Sequence, residues 1–170
     1  VPLLKPGKVS DMIWFVGSRM LRAYYYVEER KRSGEREVDE KIHREVTNWI
    51  VLERGMLTDV PSFLNQTPSD NYIETLEASK LYGLSYINYQ KIIQHYGILT
   101  QTLFEHHLTM AEKRIQICNL RNPEDRYALF QQSYPGWAGR LSVKVQASYL
   151  TIDPITLSKL RRKARYETLN

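Results

Sequence analysis

The apolar pattern of this chain changes period once, near Tyr86, and that change divides the fold in two. Upstream, apolar residues come in short runs bounded by turn residues. These are Met12 to Val16, Leu21 to Val27 with its tyrosines, Val46 to Leu52, and Ile73 to Leu84, the last broken near Glu77 to Ser79. Runs of this length and aromatic content predict strands, with turns at Pro6-Gly7 and Arg54-Gly55. The stretch from Glu28 to Glu45 is almost all charge around Ser33-Gly34, so it is expected as a long exposed hairpin rather than a helix. Its charges are mixed in sign and nearly cancel, which fits a solvated surface.

Downstream of Tyr86 the apolar spacing is three and four. Phe104, Leu108, Ala111, Ile115 and Cys118 form one stripe, and Leu99, Leu103, Met110 and Ile117 form an adjacent one. A helix of roughly 20 residues with two apolar stripes needs two partners. One partner is expected to be the β-rich body. The stripe from Phe104 to Cys118 is expected to be a dimerisation seam against the same helix of a second copy. Asn122-Pro123-Glu124-Asp125 then signals a new helix, with an N-cap, a proline at the first position and acids in the first turn. It should run to about Tyr134, stop at Pro135-Gly136, and support the C-terminal segment from beneath.

That segment, Ser142 to Arg165, predicts two short helices joined by a tight turn. Ser142 is the first N-cap; Asp153 is the second, with Pro154 where its missing N–H costs nothing. Val143, Ala147 and Leu150 share a face, and Ile152, Leu157 and Leu160 can close against it, leaving Ile155, Thr156, Ser158, Lys159, Arg162 and Lys163 outward. That is the build of a helix-turn-helix whose second helix enters a major groove. An amphipathic helix pair with a solvated basic end would show the same pattern. Charge separates the two: residues 1–139 hold 17 Lys and Arg against 17 Asp and Glu, and residues 140–170 hold 7 against 2. A neutral body with a basic end is the footprint of a nucleic-acid-binding module. A membrane surface would call for Trp or Phe on the second helix, and residues 153–165 contain neither. The expected partner is double-stranded DNA, and the expected contacts are Pro154, Ile155, Thr156, Ser158, Lys159, Arg161, Arg162 and Lys163.

Several chemistries are set aside by what the chain lacks. Cys118 is its one cysteine, so there is no disulfide framework, thiolate zinc site or iron–sulfur ligand set, and a reducing, cytoplasmic setting fits. No run of 18 apolar residues exists and the start lacks a signal-peptide build; the first residue, Val1, points to a missing N-terminal segment. His43, His95, His106 and His107 do not fall at metal-binding spacings, since His106 and His107 are adjacent and point about 100° apart on a helix. Ser62 and Ser69 have no histidine nearby in sequence and read as surface or cap residues. No catalytic residue, metal or cofactor is expected.

Asn122-Pro-Glu-Asp-Arg126-Tyr127, Ala147-Ser-Tyr-Leu150 and Pro154-Ile-Thr-Leu-Ser-Lys-Leu-Arg161 together carry a likeness in the C-terminal part. Val46-Thr-Asn-Trp-Ile-Val51, Val60-Pro-Ser-Phe-Leu64 and Leu76-Glu77 carry one in the N-terminal part. With these residues in this order the chain resembles the Crp–Fnr transcription regulators, in the form found in the Bacteroidetes. The resemblance implies an α+β chain: an N-terminal β-roll (a cyclic-nucleotide-binding-like jelly roll) over 1–95, a long dimerisation helix over 96–119, and a C-terminal winged-helix-type helix-turn-helix over 120–170. It also implies a homodimer on DNA, with RNA polymerase as a further partner.

Departures from the family pattern qualify what is carried over. Its nucleotide signature is a Gly-Glu pair and, further on, an Arg-Ser or Arg-Thr pair that holds the cyclic phosphate. Here Gly55 precedes Met56, and the later segment, Thr67-Pro-Ser-Asp-Asn-Tyr72, has no arginine. A buried phosphate without such a partner would be uncompensated, which argues against cyclic AMP and leaves the effector unassigned. The haem and iron–sulfur branches have no supporting motif. Thr151 stands at a turn position usually held by Gly, Gln146 at an apolar one, Ile155 where a Glu commonly reads a base edge, and Lys159 where an arginine often does. Two other readings stay open: a dimeric interaction or small-molecule-binding protein with a degenerate DNA-binding domain, and a cupin-like metal enzyme.

Overall fold

A computed structural model describes residues 2–33 and 36–168. Contacts divide the chain into two compact units, Val1–Glu105 and His106–Asn170. The chain is α+β, with the strands in the first unit and helices throughout the described part of the second.

In the N-terminal unit the strands are β1 (Pro2–Leu4), β2 (Met12–Ser18), β3 (Leu21–Ser33), β4 (Arg36–Val51), β5 (Met56–Leu57), β6 (Tyr72–Thr75) and β7 (Lys80–Ser85). They form two antiparallel sheets, ordered β1-β6-β3-β4 and β5-β2-β7. Leu4, Val16, Leu21, Ala23, Val51, Leu57 and Ile73 come from both sheets and make one core cluster. The other face of the smaller sheet, through Ile13, is covered by α1 (Val60–Asn65), α2 (Tyr86–Ile93) and the start of α3 (Ile98–Asn119), which contribute Phe63, Tyr89 and Leu103. Among the described residues, β3 beyond Tyr24 pairs with β4 alone, so the charged stretch forms a two-stranded hairpin ribbon, as its composition predicts. Gly34 of the expected turn lies outside the described residues. At Gly55 an added Cβ would meet Val51 Cγ1 at 2.4 Å, so the turn after Arg54 needs glycine for space.

The strand-and-turn expectation for residues 1–86 misses α1. Its start carries the same marks as the helices expected elsewhere: Asp59 accepts from the Ser62 amide and a proline stands in the first turn. At six residues it is too short for its apolar spacing to register. Ser62 and Ser69 are also buried rather than superficial, each 2% exposed. Asp59 Oδ2 accepts from the Ser69 hydroxyl and from Asn71 Nδ2, Ser62 Oγ accepts from the Ser10 amide and donates to the Thr67 carbonyl, and Asn71 Oδ1 accepts from Asn48. The segment from Asp59 to Asn71 is thus closed on itself by neutral donors around one carboxylate.

Side chains alternate across a strand, so Leu21 and Ala23 enter the core while Arg22 and Tyr24 take the opposite face. Arg22 is 6% exposed and must be paired to stay buried. Its guanidinium meets Glu45 at 2.6 Å and Glu74 at 2.7 Å, donates to Thr47 Oγ1 at 3.2 Å, and lies 4.1 Å from the centre of the Tyr24 ring. Burial works against its charge, but the hydrogen bonds to Glu45 and Glu74 outweigh that and hold its pKa above the ordinary value. Tyr24 stacks on Tyr72 at 4.9 Å, and burial, then the charge of Glu74, pushes its hydroxyl up to about 12.

Arg22→Met would leave two carboxylates facing each other without their cation. We expect a loss of about 3–5 kcal/mol in urea unfolding at neutral pH. The deficit should narrow as pH falls towards about 4, where carboxylates take up protons; a pH-independent deficit would mean the pairing is not what Arg22 supplies.

Candidate nucleic-acid interface

The C-terminal unit contains the end of α3, then α4 (Pro123–Ser133), α5 (Trp137–Arg140), α6 (Val143–Leu150) and α7 (Pro154–Thr168). The strands of a wing are not among its described residues. Each cap signal in the sequence is in use. Asn122 accepts from the Glu124 amide, Ser142 from the Val145 amide, and Asp153 Oδ1 from the amides of Ile155 and Thr156. The short α5 was not expected; it opens at Gly136, which takes φ +86°.

The core of the unit forms where α4, α6 and α7 meet. Tyr127, Phe130, Leu141, Val145, Ala147, Tyr149, Leu150, Ile152 and Leu157 are buried. Phe130 lies against Tyr149 at 5.9 Å, and Tyr134 stacks on Trp137 at 4.1 Å. Tyr149 is 1% exposed, and burial drives its hydroxyl far above the usual range. Gln146, which stands where an apolar residue was expected, is fully buried. Its amide donates to the carbonyls of Ala138 and Leu141 at 2.8 and 3.0 Å, fastening the start of α6 to α5. It is therefore a core fastener and has no place on the surface that α7 offers.

The turn between α6 and α7 is built on Thr151, at φ 53° and ψ 43°. Both its amide and that of Ile152 donate to the Ala147 carbonyl, the usual way a helix closes through a left-handed residue. A β-branched residue is strained there, and glycine would not be. Arg126 on α4 meets the strained residue directly. Its Nη1 donates to the Thr151 carbonyl at 2.9 Å and to Thr151 Oγ1 at 3.0 Å, and its Nε donates to the Leu120 carbonyl at 2.6 Å. Arg126 enters the sequence reading only through the family likeness. Its contacts with Thr151 lie 25 residues away in the chain, and no local spacing announces them.

On α7, Pro154, Ile155, Ser158, Lys159, Arg162 and Lys163 are exposed, Ile155 at 68%. Thr156 and Arg161 are half-buried. Ile155, Lys159 and Arg162 lie within about 40° of one direction around the helix, opposite buried Leu157. The other residues sit to the sides: Lys163 reaches Glu124 at 3.5 Å, and Arg161 and Arg165 are the charges felt by the Tyr127 hydroxyl. Beside the outward face, Val143, Ser158, Arg161, Arg162, Arg165 and Tyr166 line an open depression of about 510 Å³. Because Asp153 occupies the first free amides of α7, what this helix offers an anion is its side chains.

Along α3, Phe104 is 47% exposed, Leu108 63% and Ile115 56%, while Leu103 and Ile117 are fully buried. The first stripe thus holds the exposed residues and the second the two fully buried ones, with Leu99 and Met110 half-buried. Ala111 is half-buried, as is Cys118, whose thiol lies 3.6 Å from the Tyr149 carbonyl and so turns away from the exposed stripe. His106 is half-buried, which lowers its pKa, and His107 is buried. Among the described residues no group of three His, Cys, Asp or Glu converges on a metal site, and no helix is long and apolar enough to cross a membrane.

No family model matches the chain and no curated protein matches it. Solved structures match over nearly its whole length. FixK2 of Bradyrhizobium japonicum, 14% identical, superposes with a TM-score of 0.72 over 99% of this chain and 81% of its own. CLP of Xanthomonas campestris, a c-di-GMP-responsive global regulator linking cell–cell signalling to virulence gene expression, is 14% identical with a TM-score of 0.67, over 99% and 84%. A Eubacterium rectale protein described as a transcriptional regulator of the Crp/Fnr family is 15% identical with a TM-score of 0.64, over 98% and 78%. The chain has the fold of these regulators.

Strain at Thr151 predicts that its substitutions rank by tolerance of positive φ. Thr151→Gly is expected to raise the thermal midpoint slightly, and Thr151→Val, which keeps the branch and loses the hydroxyl, to cost about 1–2 kcal/mol. The reverse order would mean the hydroxyl contributes nothing and the branch is not strained.

Proposed function

We propose that this chain is a DNA-binding transcription regulator of the Crp–Fnr type, reading DNA with α7 as a homodimer. The observation that carries this is the outward face of α7, where Ile155, Lys159 and Arg162 stand together, exposed, on a helix anchored by Leu157 and capped by Asp153. Lys159 is placed for a base edge and Ile155 for a thymine methyl. Arg162, with Arg161, Arg165 and Lys163 at the sides, is placed for phosphates. Pro154 sets the start of the helix, and Thr156 and Ser158 supply hydroxyls.

Cyclic AMP is not the effector in this reading. The segment from Asp59 to Asn71 holds a carboxylate at its centre and no cation, and a second anion beside Asp59 would be repelled. Arg22 is already committed to Glu45 and Glu74. Assembly rests on α3: Phe104, Leu108 and Ile115, with Ala111 between them, form the seam, while Cys118 belongs to the fold of its own chain.

Two measurements test the proposal. The first titrates the purified protein onto a duplex selected from a random pool, and onto a random duplex, at several salt concentrations. Lys159→Ala should cost about 1–3 kcal/mol on the selected duplex and little on the random one. Arg162→Ala should weaken both alike and flatten the salt dependence by about one unit. Equally weak binding to both duplexes, with Lys159→Ala neutral, would replace the regulator with a dimeric interaction protein.

The second concerns assembly. The parent should sediment as a dimer at micromolar concentration, and Leu108→Glu or Ile115→Glu as a monomer. Two-fold DNA half-sites require such a dimer. A monomeric parent would remove the seam.

A further inference from the structure

The Arg126 side chain touches both the junction after α3 and the turn before α7. Its Nε donates to the carbonyl of Leu120, just past the end of α3, at 2.6 Å. Its Nη1 reaches the carbonyls of Leu150 and Thr151, at 3.4 and 2.9 Å, and the Thr151 hydroxyl at 3.0 Å. A guanidinium is a rigid plane with its donors in fixed directions, so these acceptors cannot move independently while it holds them. Two further contacts run the same way: the Cys118 thiol lies 3.6 Å from the Tyr149 carbonyl, and the Arg114 guanidinium lies 5.5 Å from the centre of the Tyr149 ring.

We propose that Arg126 is a positioning residue for DNA reading, coupling the junction after α3 to the left-handed turn that sets the direction of α7. This rests on the reading of α7 as the DNA-contacting helix. Thr151 makes the coupling necessary. Without glycine, the turn is held in its left-handed conformation by its surroundings, and Arg126 takes both the carbonyl and the hydroxyl of the strained residue. A shift of the Leu120 carbonyl therefore pulls on the turn, and α7 with it. Arg126 itself lies on α4, away from the outward face of α7, and contributes to affinity only through the turn.

The test uses the full chain and two readouts. Arg126→Lys keeps the charge and loses the fork; Arg126→Gln loses both. Hydrogen exchange without DNA reads the clamp itself. In Arg126→Lys the amides of Ile152 and Leu120, which donate to Ala147 and Ile117, should lose protection together, by about tenfold, while core amides of α6 keep theirs. Titration reads the consequence. Both variants should bind the selected duplex about tenfold more weakly, with affinity for random DNA and the salt slope unchanged. Adding Thr151→Gly to Arg126→Gln should restore most of that loss, because glycine needs no clamp. Unchanged exchange at Ile152, or loss there without loss at Leu120, overturns the coupling whatever the DNA does. Equal weakening on both duplexes, or no rescue by Thr151→Gly, overturns the positioning role. A parent with no preference for any duplex defeats the regulator reading, and the exchange result still decides whether Arg126 couples the two sites.

Discussion

Thr151 occupies a backbone conformation that branched side chains avoid, and the C-terminal unit is arranged around that fact. A glycine there would take the same conformation without strain, held by the backbone bonds to the Ala147 carbonyl. Threonine adds a stiff branch and a hydroxyl, and the hydroxyl gives neighbours something to grip. The grip comes from Arg126, while Thr151 Oγ1 also donates to the Leu150 carbonyl at 2.7 Å. The turn is thus held through side chains, where a glycine turn would have backbone only. What is strained locally becomes a fixed point for the helix that starts at Pro154.

The two units handle buried polarity in different ways. In the N-terminal unit a cation is sunk between two carboxylates and laid on an aromatic ring, an arrangement that leaves the cluster with one surplus negative charge. Around Asp59 the same unit surrounds a carboxylate with hydroxyls and amides and no cation. Neither pocket welcomes another anion. The C-terminal unit has a mainly aromatic and aliphatic interior, in which Gln146 is bonded to two backbone carbonyls, and it carries exposed cations along α7. The basic excess of residues 140–170 therefore sits largely on one helix, α7, which carries Lys159, Arg161, Arg162, Lys163 and Arg165.

The sequence made the elements legible wherever local chemistry sets them. Asn122, Ser142 and Asp153 cap the helices they were expected to cap, because a side chain can reach an amide two or three residues on without help from the fold. The two stripes of α3 separated by exposure because their spacing alone assigns the faces. The α1 helix escaped because one and a half turns show no period, although its Asp-then-proline start was as plain as that at Asp153. Arg22 and Arg126 escaped for a different reason. Their partners stand 23 to 52 and up to 25 residues away, and strand register or helix packing brings them together. A buried arginine looks the same in sequence as an exposed one. Gln146 is the instructive case, since a polar residue at an apolar position read as a defect, and two backbone carbonyls left over from α5 turn it into a fastener.

The exposed stripe of α3 carries a cost that bears on the proposed assembly. Leu108, Ile115 and Phe104, about half to two-thirds exposed, each forgo part of the roughly 1.5–3 kcal/mol that full burial would contribute. A chain with 42% hydrophobic residues has other apolar surface to spare, so exposure of one such residue would carry no weight. Three on one seam of one helix, at the spacing of a coiled coil, are another matter. In the adjacent stripe Leu103 and Ile117 are fully buried and Leu99 and Met110 half-buried, so rolling the helix to hide the first stripe would uncover the second. In the proposed dimer this stripe would meet its own copy, and a self-complementary helix seam generates a two-fold axis. Under the proposed function such an axis would bring two copies of α7 to one duplex, in the symmetric arrangement that paired half-sites require.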